Sequence, residues 1–374
     1  MVTVLVAPAG IGHLPPVRVA ELVSQTWTAR SPGVRVVGRP MSDGGNGFLD
    51  ALRAGAGGVL TPVVVDDPSG PSRPATVLLQ DGANGPTAYV EPAALNLGAE
   101  DSTYAVGRLL IAARETGAER IVVGVGYMGT LDGGAGMLRA LAGDERSGDW
   151  WRAPDRTAAL VEEWGGVRIV GAVEDDAPLL GMHGPTYAAI ERSGLDRAEA
   201  DRHERRMGEL VDQVEKAVPP RRDLVSGLPV RVHRRAGAGA GGGLGYALAV
   251  LGAQLRSGAD VTAEAVGLDH AVADADLVVT GETTYDWRSL EHSVLSRVSS
   301  SAEVAARPVV VLCREQHVGR RESMSLGVAG TYSLIPTGRL ARDVPEGGDL
   351  EDALRALVRR VAGTWTPTGS DDVH

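Results

Sequence analysis

Short apolar runs alternate with helical spacing along nearly the whole chain. Thr3–Ala7 has the length and β-branched content of a buried strand, and Val17–Thr28 carries the helical period that follows it. Val34–Val37 reads as the next strand. It leads through Ser42-Asp43-Gly44-Gly45-Asn46-Gly47 into a helix from about Phe48 to Arg53. Val63–Val65, Thr76–Leu79 and Ala88–Glu91 read as strands, and Asp101 or Ser102 can cap a helix that runs to about Thr116. The pattern then predicts a strand at Arg120–Val125, a helix at Gly133–Leu141 and a strand at Arg168–Val173. A long charged helix follows at Arg197–Ala217, ended by Pro219-Pro220, and another helix at Gly242–Arg256. Asp276–Thr280 and Pro308–Leu312 read as buried strands and Leu350–Val361 as the last helix. Strands separated by helices predict an α/β fold with largely parallel sheets. Such sheets bind ligands at the carboxyl ends of their strands. Glycine-rich segments follow Ala7, Val37, Val125, Val173 and Val279, where that rule places a site.

Composition narrows the class. At 374 residues the chain makes one large domain or two ordinary ones, and 43% hydrophobic with 23% charged residues is a globular balance. A net charge of −11 argues against nucleic acid or an anionic membrane as a partner. The chain has no run of roughly 18 apolar residues that would span a bilayer. The start MVTVLVAPAG reads as a strand and not as a signal peptide. Cys313 is the one cysteine, which rules out an intrachain disulfide framework and fits a reducing cytosol. A cytoplasmic protein acting on a small molecule is expected, with a homo-oligomer left open. The 50 glycines, roughly twice the usual share, gather in motifs. Lys216 is the only lysine, so no other lysine can clamp a phosphate.

Four motifs, in order, resemble one family. They are Asp43-Gly44-Gly45, Asp132-Gly133-Gly134-Ala135-Gly136-Met137, the run Gly237–Gly245, and Leu277-Val278-Val279-Thr280-Gly281-Glu282. The chain resembles the bacterial two-domain glycerate kinases from Val2 to about Val361. The resemblance implies two α/β domains with a cleft between them: residues 1–60 together with 285–374 as one, and 61–284 inserted as the other. It implies transfer of the ATP γ-phosphoryl group to a hydroxyl of glycerate, with Mg²⁺.

The chain departs from the family pattern at telling places. Where the family reads Ala-Pro-Asp-Ser, an aromatic, then Lys-Glu-Ser, this chain keeps Ala7-Pro8 but continues Ala9-Gly10-Ile11-Gly12-His13-Leu14. Asn46 replaces a glutamate. Tyr127 and Met128 add bulk to the loop before Asp132. Gly281-Glu282-Thr283-Thr284-Tyr285-Asp286-Trp287-Arg288 lacks the family's arginine, and its second lysine is gone. Arg18, Arg288 or Arg314 could replace the lost cations, although arginine and lysine are not interchangeable at a phosphate site. Tyr127, Met128, Met182, Tyr246, Tyr285 and Trp287 could line an apolar pocket, or could fill space as core.

These departures lead to the expectation that phosphotransfer has been lost. The cleft would then serve an ATP-independent acid–base reaction on a larger, partly apolar molecule in specialised metabolism, with no cofactor. A working kinase on glycerate or another hydroxy acid, using ATP and Mg²⁺, is the alternative, and a non-catalytic binding protein a second. Candidate catalytic residues are His13, Asp43, Tyr127, Asp132, Glu282, Asp286 and His292, histidine and carboxylate being the usual proton carriers. Asp132 and His13 are favoured as the pair, against the alternatives of a helix cap for Asp132 or Asp43 and a surface position for His13. Substrate contacts are expected from Met128, Met182, His183, Gly239, Gly242, Tyr246, Tyr285, Trp287 and Arg288. No metal ligands are assigned. Glu174-Asp175-Asp176 is the acidic stretch best suited to residual Mg²⁺, or else a solvated loop.

Overall fold

From Val4 to Ala7 the first strand, β1 (Thr3–Val6), and its continuation are apolar and buried, and β1 lies inside a five-stranded parallel sheet built from sequence-distant strands. β2 (Arg35–Gly38) lies on one side. On the other lie β9 (Leu277–Tyr285), β10 (Val309–Gln316) and β11 (Val328–Ser333), giving the order β11-β10-β9-β1-β2. The helices α1 (Pro16–Arg30) and α13 (Gly348–Trp365) pack together on this sheet. Trp27 is fully buried there and donates its indole N–H to Thr366 Oγ1 at 2.9 Å. Burial of a side chain of that size contributes roughly 3 kcal/mol. The computed structural model describes residues 1–68, 70–82, 85–143, 157–218, 222, 226–335 and 348–366.

The chain forms two units. The first holds the parallel sheet and comprises Met1–Ser42, Asp50–Gly57 and Ala259–His374; the second comprises Asp43–Leu49 and Gly58–Gly258. The expected boundary at 284/285 therefore moves to 258/259. The reason is β9: Val4, Leu5 and Val6 of β1 pair with Leu277, Val278 and Val279, so this strand belongs to the first sheet and not to an inserted domain.

The second unit has six strands in chain order: β3 (Val59–Val65), β4 (Arg73–Gln80), β5 (Thr87–Val90), β6 (Arg120–Val125), β7 (Arg168–Val173) and β8 (Gln254–Ser257). β4 pairs antiparallel with both β3 and β5; β5 to β8 are parallel. Its core holds α3 (Tyr104–Glu115), α4 (Ala135–Leu141), α7 (Arg197–Ala217) and α8 (Leu244–Val250). The helix expected over Gly242–Arg256 ends at Val250. Gly252 sits at φ 92, a left-handed turn, and Gln254–Ser257 then pairs with β7. Among the described residues no helix is long and apolar enough to cross a membrane.

Candidate functional site

Two parallel strands end side by side in the second unit, and the Asp43-Gly44-Gly45 motif lies against them. The Gly126 N–H, one residue past β6, donates to Gly44 O at 3.1 Å. Gly44 has φ 101, and a Cβ there would stand 2.2 Å from Ala172 O on β7. Only glycine allows this approach, which sets Asp43 beside the ends of β6 and β7. Asp43 Oδ1 accepts the Gly45 N–H at 3.0 Å.

Glu174 is the first residue after β7. Its Oε2 accepts the Tyr127 backbone N–H at 2.7 Å and its Oε1 accepts from Arg192 Nη1 at 3.0 Å. Arg192 lies on α6 (Pro185–Ser193), and its Nη2 stands 3.8 Å from Asp175 Oδ2. The guanidinium also lies over the Tyr127 ring, 5.6 Å from its centroid. Glu174 and Asp175 thus share one cation, whose charge also reaches Asp43. Burial, then the charge of Asp43, push the Glu174 carboxyl up to about 7, against the pull of Arg192. Burial raises Asp43 too, opposed by its backbone hydrogen bonds. A carboxyl that titrates near neutrality next to an arginine can take a proton from a bound hydroxyl and hold an anion beside it.

Asp132 has a different role from the one expected. Its carboxylate accepts from Thr103 N (2.7 Å), Thr103 Oγ1 (2.8 Å), Gly134 N (2.8 Å) and Gly136 N (3.1 Å) in a fully enclosed position. Four donors saturate it, so it ties α3 to the start of α4 instead of meeting a substrate. Burial raises its pKa even against those donors. Gly239 and Gly242 are likewise corrected. Gly239 donates to Ala177 O at 2.8 Å, Gly242 O accepts from Gly133 at 3.0 Å, and a Cβ on Gly242 would stand 1.8 Å from Thr130 O. That glycine run packs backbone on backbone.

The expected apolar wall disperses. Met128 and Tyr246 are core residues of the second unit, and Tyr285 is fully buried in the first. Met182, His183 and Trp287 are exposed. Arg288 covers the Trp287 ring at 5.0 Å and pairs with Asp286, whose Oδ1 caps the turn at Arg288 N (2.8 Å). Asp286 and Arg288 are therefore partners of each other.

The other candidates belong to the first unit. His13 is exposed on a loop closed by reciprocal Ile11–Leu14 hydrogen bonds and held by the Gly12 N–H to Thr283 Oγ1 at 2.9 Å. Glu282 stands on β9 in register with Cys313 of β10, and His292 is exposed before α11 (Val294–Val304). Arg18 pairs with Glu351 and Glu21, so it is not an open phosphate clamp. Arg314 is half-buried beside the Gly12 loop. Asp43 and Tyr127 meet in one cluster, while His13, Glu282, Asp286 and His292 lie in the other unit. Arg192 was missed: nothing in its local spacing marks it, and only the fold brings it to Glu174.

A model of the glycerate kinase family matches residues 4–366. An uncharacterized protein of Mycobacterium tuberculosis (strain CDC 1551 / Oshkosh) is 32% identical over 345 residues, covering 88% of this chain and 84% of its own. The glycerate kinase of Bacillus subtilis (strain 168) is 28% identical over 365 residues, 89% and 90% of the two chains. A solved structure from Salmonella typhimurium LT2, provisionally described as glycerate kinase 2, superposes with a TM-score of 0.68 at 25% identity. It covers 97% of this chain and 98% of that one. These matches, with several relatives named as kinases, overturn the expectation of an ATP-independent enzyme. The inference from absent lysines was too strong, and the dispersal of the aromatic wall removes its other support.

Proposed function

The chain belongs to the glycerate kinase family, and from that premise we propose that it transfers the γ-phosphoryl group of ATP to a hydroxyl of glycerate or a related hydroxy acid. The observation that carries this reading is the Asp43–Glu174–Arg192 group at the ends of β6 and β7. In the proposed step the substrate O–H proton passes to Glu174. The oxygen then bonds to the γ-phosphorus as the bond to the β-phosphate oxygen breaks and ADP leaves. Arg192 offers a planar fork to a carboxylate or phosphate. It would do so by exchanging part of its pairing with Glu174 and Asp175.

Magnesium ions of kinases are commonly held by one or two carboxylates plus substrate phosphates. Asp43 and Asp175 are donors of that kind. Among the described residues no group of three or more His, Cys, Asp or Glu is arranged to hold an ion alone. The residues therefore suit an ion carried by the nucleotide, not a resident cage. When bound, that ion would neutralise phosphate charge.

ADP release from ATP and Mg²⁺, with and without D-glycerate, tests the reading. Hydroxy-acid-dependent release is expected, reduced roughly 10²–10⁴-fold in Glu174→Gln. No release with glycerate or a panel of related hydroxy acids would end it.

A further inference from the structure

A second charged feature lies on the same unit, built from residues that the phosphoryl-transfer reading does not use. Leu228, Pro229, Arg231, Arg234 and Arg235 line a pocket of about 410 Å³. That is the size of a small-molecule site. Three arginines from a five-residue stretch, each exposed, line it. Among the described residues none of the three has a carboxylate partner, although many arginines elsewhere do: Arg18, Arg114, Arg168, Arg192, Arg297 and Arg355.

The stretch is held firmly. Arg234 N donates to Arg231 O (3.0 Å), Arg235 N to Val232 O (3.1 Å) and Ala238 N to Arg235 O (3.0 Å). Between the arginines the His233 side chain turns inward. Its backbone oxygen accepts from Leu179 N at 2.9 Å, and its Nδ1 stands 3.3 Å from Glu215 Oε1. The guanidinium groups are thus presented from a pinned turn, which lowers the ordering cost of binding. Their positive field reaches His233: burial depresses its pKa first, Glu215 opposes this, and Arg234 and Arg231 add to the depression. Leu228, 65% exposed, and Pro229 supply an apolar flank.

We propose that this pocket binds a small polyphosphate anion. Three clustered like charges are relieved best by one multivalent anion, and arginine forks match phosphate oxygens. A single phosphate would leave most of the volume empty. The site stands independently of the kinase reading.

Isothermal titration of the full chain with tripolyphosphate at low salt tests it, alongside Arg234→Gln/Arg235→Gln and a melting curve for each protein. The expected result is at least about tenfold weaker binding in the double variant at an unchanged melting temperature. Wild-type binding should also weaken as salt rises. ATP that competes with tripolyphosphate identifies a nucleotide as the source. Tripolyphosphate binding without ATP competition identifies a free polyphosphate, and either supports the site. Equal affinity in wild type and variant, no wild-type binding, or inorganic phosphate binding as tightly as tripolyphosphate would overturn it. Glu174→Gln separates the two readings, since it should lose turnover while keeping tripolyphosphate binding.

Discussion

Glu174 is a half-buried carboxyl and Asp132 a fully buried one, both near glycine loops, and their surroundings give them opposite uses. Asp132 meets four donors and no cation. Glu174 keeps 15% of its side chain exposed, shares Arg192 with Asp175 and feels the charge of Asp43. The shift of Glu174 has a consequence for stability. Its folded value of about 7 lies above the ordinary 4.5, so between those values the folded chain holds a proton that the unfolded chain has released. Its contribution is fully present below 4.5 and is lost as pH rises through about 7. Glu174→Gln removes that loss. Its melting temperature relative to wild type should therefore rise between pH 5 and pH 8, by an amount worth up to roughly 3 kcal/mol at 1.36 kcal/mol per unit. A difference that stays constant with pH would refute the raised pKa. If Glu174 is the proton acceptor, wild-type turnover should also climb through the same range, because only the ionised form can take a proton.

Elements with a strong local period were legible in the chain. Arg197–Ala217 is the helix its spacing predicts, with Asp196 as cap, and β1, β6 and β7 fall on continuous apolar runs. Yet His203, on this long charged helix, is fully buried, because tertiary packing overrides the local charge pattern. β8 was hidden for a related reason: Gln254–Ser257 is short and polar, and is a strand only because β7 offers its edge. Of the site, Asp43 and Tyr127 could be named from motifs. Arg192 could not, and the glycine run Gly237–Gly245 looked like a ligand cradle although it serves packing. Two glycines make that distinction measurable. Gly242 has φ 66, and a Cβ there would meet Thr130 O at 1.8 Å, so Gly242→Ala should cost more than about 2 kcal/mol in urea unfolding. Gly208, inside α7, has nothing within 4 Å of an added Cβ. Gly208→Ala should instead stabilise by about 0.5–1 kcal/mol through helix propensity. Equal and small effects at both positions would contradict the packing role of the glycine run.

Each unit carries its own sheet and its own apolar core, so the second unit should fold without the first. Its size lies in the ordinary range for a domain. Its sequence is not one continuous piece, however: residues 43–49 belong to it although 50–57 do not. Those seven residues are structural members of the unit. Phe48 is fully buried and meets the Tyr89 ring edge-on at 6.3 Å. The Glu91 carboxylate accepts the Gly47 and Leu49 N–H groups, each at 2.9 Å. Removing Phe48 alone opens a cavity of a kind that costs about 3–5 kcal/mol. A polypeptide of residues 43–258 should therefore unfold in one cooperative transition. A polypeptide of residues 58–258 should melt roughly 6 °C or more below it, at the few degrees per kcal/mol typical of this size. Phe48→Ala within 43–258 should reproduce most of the difference, since the ring is the largest apolar group lost. Circular dichroism melts of the three polypeptides decide the matter. If 58–258 melts with 43–258, or if 43–258 shows no cooperative transition, the seven residues are not part of that folding unit and the division at 42/43 is wrong.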